Sequence, residues 1–132
     1  MRVKLEQAGW SGRLRFTGWM EAPWDHYAAL DLLVMPSRFE GQPLAMQEAL
    51  LCGVPVCGTR VDGLADYLPQ QWLCPPADAA GLRRQMETML QEMDKCGPEL
   101  ASARERIRTE NCLENVRRRL DAAIEATRTA RS

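Results

Sequence analysis

Residues 32–58 read LLVMPSRFEGQPLAMQEALLCGVPVCG, and four local signals follow one another within them. Leu32-Leu33-Val34-Met35-Pro36-Ser37 is a short continuous apolar run closed by proline, the pattern of a strand buried on both faces. Arg38-Phe39-Glu40-Gly41-Gln42 has the charge and the glycine of a loop. Pro43 suits a first helical position, and the stretch 43–52 ends where Gly53 can act as a helix C-cap. Val54-Pro55-Val56-Cys57-Gly58 is a second apolar strand. Strand, loop, helix and strand, with both strands apolar throughout, predict a parallel unit whose sheet is covered on both faces.

The flanks extend that pattern. Residues 1–9 read as a short helix. Leu14-Arg15-Phe16-Thr17-Gly18 alternates with period two and predicts a strand. Trp24, Tyr27, Ala28 and Leu30 fall at helical spacing over 23–30, with Pro23 near the start. Residues 63–68 give a turn of helix, and Trp72-Leu73-Cys74 a last short strand. Asp78 can cap a helix carrying Leu82, Met86, Met89, Leu90 and Met93 on one face. Residues 99–108 form another helix. Asn111 and Glu114 resemble a capping box before a final helix striped with Leu113, Val116, Leu120 and Ile124. The expected fold class is α/β: a Rossmann-like parallel sheet with helices on both faces. It forms a single domain over 1–132, with the α/β core in 1–76 and C-terminal helices in 77–132.

Composition narrows the function classes. The 132 residues are 45% hydrophobic and 27% charged, a globular balance of single-domain size. Seventeen basic against eighteen acidic residues leave a net charge of −1, so the domain has no electrostatic footprint for nucleic acid. Arg117-Arg118-Arg119 is the strongest basic cluster, and the interleaved Glu114, Asp121 and Glu125 make it a mixed solvated face rather than a nucleic-acid patch. A role at a domain interface or membrane surface is the lesser reading. No apolar stretch reaches the roughly 20 residues of a membrane span. The opening Met1-Arg2-Val3-Lys4 lacks the apolar region of a signal peptide, and a cytoplasmic location is expected. Five cysteines without a C-x-x-C pair, and the single His26, assemble no zinc site, so no metal is expected. The thiols read as small buried hydrophobes.

The chemistry concentrates at 40–48. Ligands of open parallel sheets bind at the carboxyl ends of strands, where loops enter helices. Gly41 lets backbone approach a ligand, and the helix behind it offers unpaired N–H groups and a positive dipole end for phosphate. Glu48 lies eight positions after Glu40, about 12 Å along a helix axis. Two carboxylates at that separation, being acceptors only, can each grip neighbouring hydroxyls on either side of an anion. On spacing alone, a dipole-favouring Glu40 and a solvated Glu48 explain the same pattern.

The residues themselves add to this. Phe39-Glu40-Gly41-Gln42-Pro43-Leu44-Ala45-Met46-Gln47-Glu48-Ala49, followed by Cys52-Gly53-Val54-Pro55-Val56, resembles the E-x7-E region of retaining, nucleotide-sugar-dependent glycosyltransferases. These are glycosyltransferase family 4, the glycosyl transferases group 1, with the GT-B fold. Gly12 to Trp19 resembles the family's strand and loop beside the base pocket, and Tyr27 to Ser37 its "aaDl.vlPS" segment. The resemblance implies the C-terminal, donor-binding half of a GT-B enzyme without its first strands. It places Glu40 beside the donor sugar as the catalytic carboxylate, and Glu48 on the ribose hydroxyls. It gives sugar and phosphate contacts to Gly41, Gln42, Leu44 and Ala45, with Pro43 shaping the turn, and puts Gly18 and Trp19 near the base. Gln42 departs from the aromatic or small residue usual there. The Arg and Lys that neutralise the diphosphate have no match in this chain; Arg38 is adjacent to the site.

The implied partners are a nucleotide-sugar and an N-terminal acceptor domain or partner chain, without a cofactor or metal. With the sheet's first strands absent, unpaired edges predict either a homodimer or closure of the gap by strand 14–18. The competing reading is a non-catalytic binding or assembly module. Nucleotide-sugar epimerases share the architecture, but E-x7-E fits transferases better.

Overall fold

The computed structural model describes residues 7, 9, 12–21 and 23–129. Its helices and strands run α1 (Trp24–Ala28), β1 (Leu33–Met35), α2 (Leu44–Leu51), β2 (Val56–Thr59), α3 (Asp62–Ala65), β3 (Leu73–Cys74), α4 (Ala79–Gln91), α5 (Gly97–Glu110) and α6 (Leu113–Thr129). Short 3-10 turns occupy Gln70–Trp72 and Met93–Lys95.

The three strands form one sheet, ordered β1-β2-β3 and parallel throughout, with Leu33 opposite Val56 and Thr59 opposite Cys74. Parallel neighbours need crossovers; α2 supplies the first, and α3 with the following turn the second. α2 packs on β1 and β2, α4 on β2 and β3, and α5 on α2. Helices therefore cover both faces of a Rossmann-like α/β sheet. Every residue of β2 is buried, whereas each residue of β1 is half-buried. The difference is positional: β2 has a neighbour on each side, and among the described residues β1 has one.

The core is built where α2 and α3 meet the sheet, with Met46, Leu50, Val56, Cys57 and Leu64 fully buried. Gly53 ends α2 as its sequence position predicts. At φ +83° it lets its own N–H donate to the Leu50 carbonyl and the Val54 N–H to the Ala49 carbonyl. That double closure satisfies two carbonyls of the last turn. The Asp78 carboxylate likewise accepts from the Gly81 N–H at 2.7 Å, starting α4.

Other expectations need correction. Residues 14–18 form no strand; they are irregular and exposed, so they do not close the sheet. Period-two alternation supplies an apolar face, but a strand also needs a place in a ladder, and these residues are not a strand of the described sheet. The expected helix over 1–9 and Trp10 fall on residues that lie mostly outside the described ones. The Asn111–Glu114 capping box is absent, because the Asn111 side chain turns to Gln42 and Gln47 instead. Leu90 is about half exposed, and Leu113, Val116 and Leu120 on α6 are exposed. Three cysteines are buried as expected, while Cys52 is exposed and Cys112 half-buried.

Candidate functional site

The loop between β1 and α2 is seated by backbone contacts before any side chain acts. Its Glu40 carbonyl accepts from the Gly63 N–H at 3.1 Å. A Cβ at Gly63 would lie 2.1 Å from the Gly41 carbonyl oxygen, so glycine alone permits α3 to approach this closely. Thr59, buried at the end of β2, donates its hydroxyl to the Ser37 carbonyl. Ser37 in turn donates its hydroxyl to Glu40 Oε1 at 2.7 Å. Glu40 is half-buried with one carboxylate oxygen already engaged.

Pro43 is the N-cap of α2, one position outside the helix, and no side chain caps that end. The N–H groups of its first turn, from Leu44 onward, have no intrahelical acceptors. Leu44 is exposed, while Pro43 and Met46 are buried beneath it. About one turn further in, Glu48 Oε2 accepts from the Tyr27 hydroxyl of α1 at 3.0 Å. Burial, then the hydrogen bond and charge of Glu48, push the Tyr27 phenol up to about 12. Tyr27 therefore stays a neutral donor at physiological pH.

A third group of contacts ties the loop to distant chain. Gln42 Nε2 donates to Tyr67 Oη at 3.1 Å and to Asn111 Oδ1 at 3.2 Å. The Asn111 amide donates to Gln47 Oε1 at 2.9 Å, satisfying a buried side chain of α2. The Arg106 guanidinium lies 5.2 Å from the Tyr67 ring centroid, a cation–π distance. Sequence separations of 25 and 69 give these contacts no local signal. Ser37 and Tyr27 lie in segments with clear local patterns, yet nothing local marks either as a partner of the carboxylates.

The structure thus brings Glu40, Gly41, Gln42, Pro43, Leu44, Ala45 and Glu48 into one loop–helix unit. Gly18 and Trp19 lie on the irregular stretch 14–20; Trp19 is 92% exposed, and no hydrogen bond among the described residues links either to the loop. Arg38 lines a cleft of about 210 Å³ at the strand ends with Pro36, Thr59, Ala77, Asp78, Ala79 and Leu82. Ala77 there has φ +63°. Among the described residues, no group of three His, Cys, Asp or Glu side chains is arranged to hold a metal. No helix among them is long and apolar enough to cross a membrane.

The fold defines the class: a Rossmann-like portion of a GT-B domain. Over 98% of its length the chain superposes on sucrose-phosphate synthase from Thermosynechococcus elongatus, with TM-score 0.83, 24% identity and 34% of that chain covered. The family description "Glycosyl transferases group 1" matches residues 1–92, and the chain belongs to that family. It is similar to 2-deoxystreptamine N-acetyl-D-glucosaminyltransferase of Streptomyces fradiae, 40% identical over 64% of this chain and 21% of the relative. It is also similar to the lipopolysaccharide core biosynthesis mannosyltransferase LpsB of Rhizobium meliloti, 38% identical over 52% of this chain and 19% of the relative. The chain spans about a fifth of the length of these two relatives.

Proposed function

We propose that this chain is the donor-binding portion of a retaining glycosyltransferase that moves a sugar from a nucleotide diphosphate sugar to a glycan or lipid-linked acceptor. The observation that carries the reading is the pair Glu40 and Glu48 on either side of an uncapped helix start, each with one carboxylate oxygen held by a neighbouring hydroxyl. Each carboxylate keeps its other oxygen for a ligand hydroxyl. Glu40 acts beside the reacting carbon of the sugar, and Glu48 binds the ribose. The N–H groups of Gly41, Gln42, Leu44 and Ala45 face the sugar and diphosphate, and Pro43 shapes the turn. Gly18 and Trp19 approach the base. No metal or cofactor takes part in this reading. Charge building on the leaving diphosphate needs fixed cations; Arg38 contributes, and the remainder comes from the rest of the donor domain of which this chain is a portion. The reaction takes place in the cytoplasm, with access to a membrane surface for a lipid-linked acceptor.

The side of β1 that no described strand pairs and the exposed stripe on α6 favour a second reading, a non-catalytic assembly module. Calorimetric titration with UDP, GDP and ADP separates the two. Binding of at least one, weakened tenfold or more by Glu48→Ala, is expected, since hydrogen bonds to a charged group contribute about 1.5–3 kcal/mol each. Binding of none favours the assembly module. Equal binding by wild type and variant removes Glu48 from the ribose.

A further inference from the structure

We propose that Tyr27 is a positioning residue that makes this site selective for a ribonucleotide over its deoxy counterpart, acting through Glu48. The inference rests on the reading of Glu48 as the ribose ligand.

Tyr27 sits on α1, which packs against α2, and is itself half-buried. Its hydroxyl reaches across to Glu48 Oε2 at 3.0 Å. A phenol has one proton to donate, and here it is committed to Glu48. Burial and the neighbouring carboxylate keep that proton in place far above neutral pH. A glutamate head group is carried on three rotatable bonds, and a free one loses rotamer entropy when a ligand fixes it. With Oε2 anchored, the plane of the carboxylate is set before ligand arrives. Oε1 then presents its lone pairs in one direction, the arrangement needed to accept from hydroxyls on adjacent carbons. Ser37 does the same for Glu40 at 2.7 Å, so both carboxylates of the pair are held from outside the E-x7-E segment. With its single proton committed to Glu48, the Tyr27 hydroxyl has none to donate to a ligand, so its effect passes through Glu48.

The test compares binding of a ribonucleoside diphosphate with its 2′,3′-dideoxy analogue, which keeps base and diphosphate and loses both hydroxyls. Wild type, Tyr27→Phe, Glu48→Gln and the double variant are titrated calorimetrically, and thermal melting checks that each is folded. Wild type is expected to prefer the ribonucleotide, and Tyr27→Phe to shrink that preference at least fivefold while leaving affinity for the dideoxy analogue within twofold. Adding Tyr27→Phe to Glu48→Gln is expected to change nothing further. If Glu48→Gln abolishes the preference and Tyr27→Phe leaves it whole, the role of Tyr27 is overturned and that of Glu48 survives. If wild type shows no preference, or binds no nucleotide, both readings fall together. Should Tyr27→Phe melt early, Tyr27→Met and Tyr27→Leu, which fill the site without a donor, are titrated. An undiminished preference in either of them, once folded, likewise overturns the proposal.

Discussion

Gly63 shows how a single residue sets the geometry of the loop that carries Glu40. Any side chain there meets the Gly41 carbonyl at 2.1 Å, and backbone on both sides leaves nothing soft to yield. Gly63→Ala is expected to cost about 2–3 kcal/mol, the upper part of the range for overpacking, read as a shift in the urea midpoint. Cys57 acts through burial alone: its thiol is fully enclosed and is raised to about 11 by burial, with a lesser contribution from Cys74. The folded chain keeps a proton that the unfolded chain releases near pH 9. Stability from this group is therefore whole below pH 9 and declines as pH climbs toward 11. Urea midpoints measured from pH 8 to pH 11 are expected to fall, and the fall to be smaller in Cys57→Ala. The two glutamates, the loop glycine and Gly53 were legible as residue types at a spacing. Their hydroxyl partners were not, because a hydrogen bond between Tyr27 and Glu48 depends on how α1 lies against α2.

At the scale of elements, α2 and α6 make opposite cases. α2 buries Met46, Gln47, Ala49 and Leu50 against the sheet and α5. Leu50→Ala leaves a cavity in a close-packed region and is expected to cost about 2–5 kcal/mol by chemical denaturation. Leu120 lies on the apolar stripe of α6 and is 59% exposed. Leu120→Ala is expected to stay within about 0.5 kcal/mol of wild type, the usual range for exposed sites. Pro43 and Gly53 marked α2 as a helix, and periodicity marked α6. Neither signal could say which helix meets the core and which solvent, since end signals carry no facing and an amphipathic pattern records only that one face differs from the other. The alternating segment 14–18 failed for a related reason. A strand is defined by its partner, and alternation describes only one side of the pair.

For the whole molecule, the exposed row of β1 matters most. The Leu33 N–H donates to the Pro55 carbonyl at 3.0 Å, so Leu33 and Met35 face β2. Alternation in a parallel ladder then turns the Val34 N–H and carbonyl to the side on which no described strand pairs. An edge of this kind invites another strand, and self-pairing of two copies along it is expected. Light scattering over a concentration series checks this: a mass rising toward two chains supports it, and a constant single-chain mass rules it out. The sequence alone determined the order of the elements from α1 onward, the Gly53 end of α2, the Asp78 start of α4 and the E-x7-E spacing, because these depend on contacts a few residues apart. Only the tertiary structure decided that β1 is an edge among the described strands, that residues 14–18 stay outside their sheet and that Gln42 is held by Asn111. It also decided that each glutamate has a hydroxyl partner. Those outcomes depend on segments distant in sequence meeting in space, where neighbours compete for the same hydrogen-bonding groups and apolar surface.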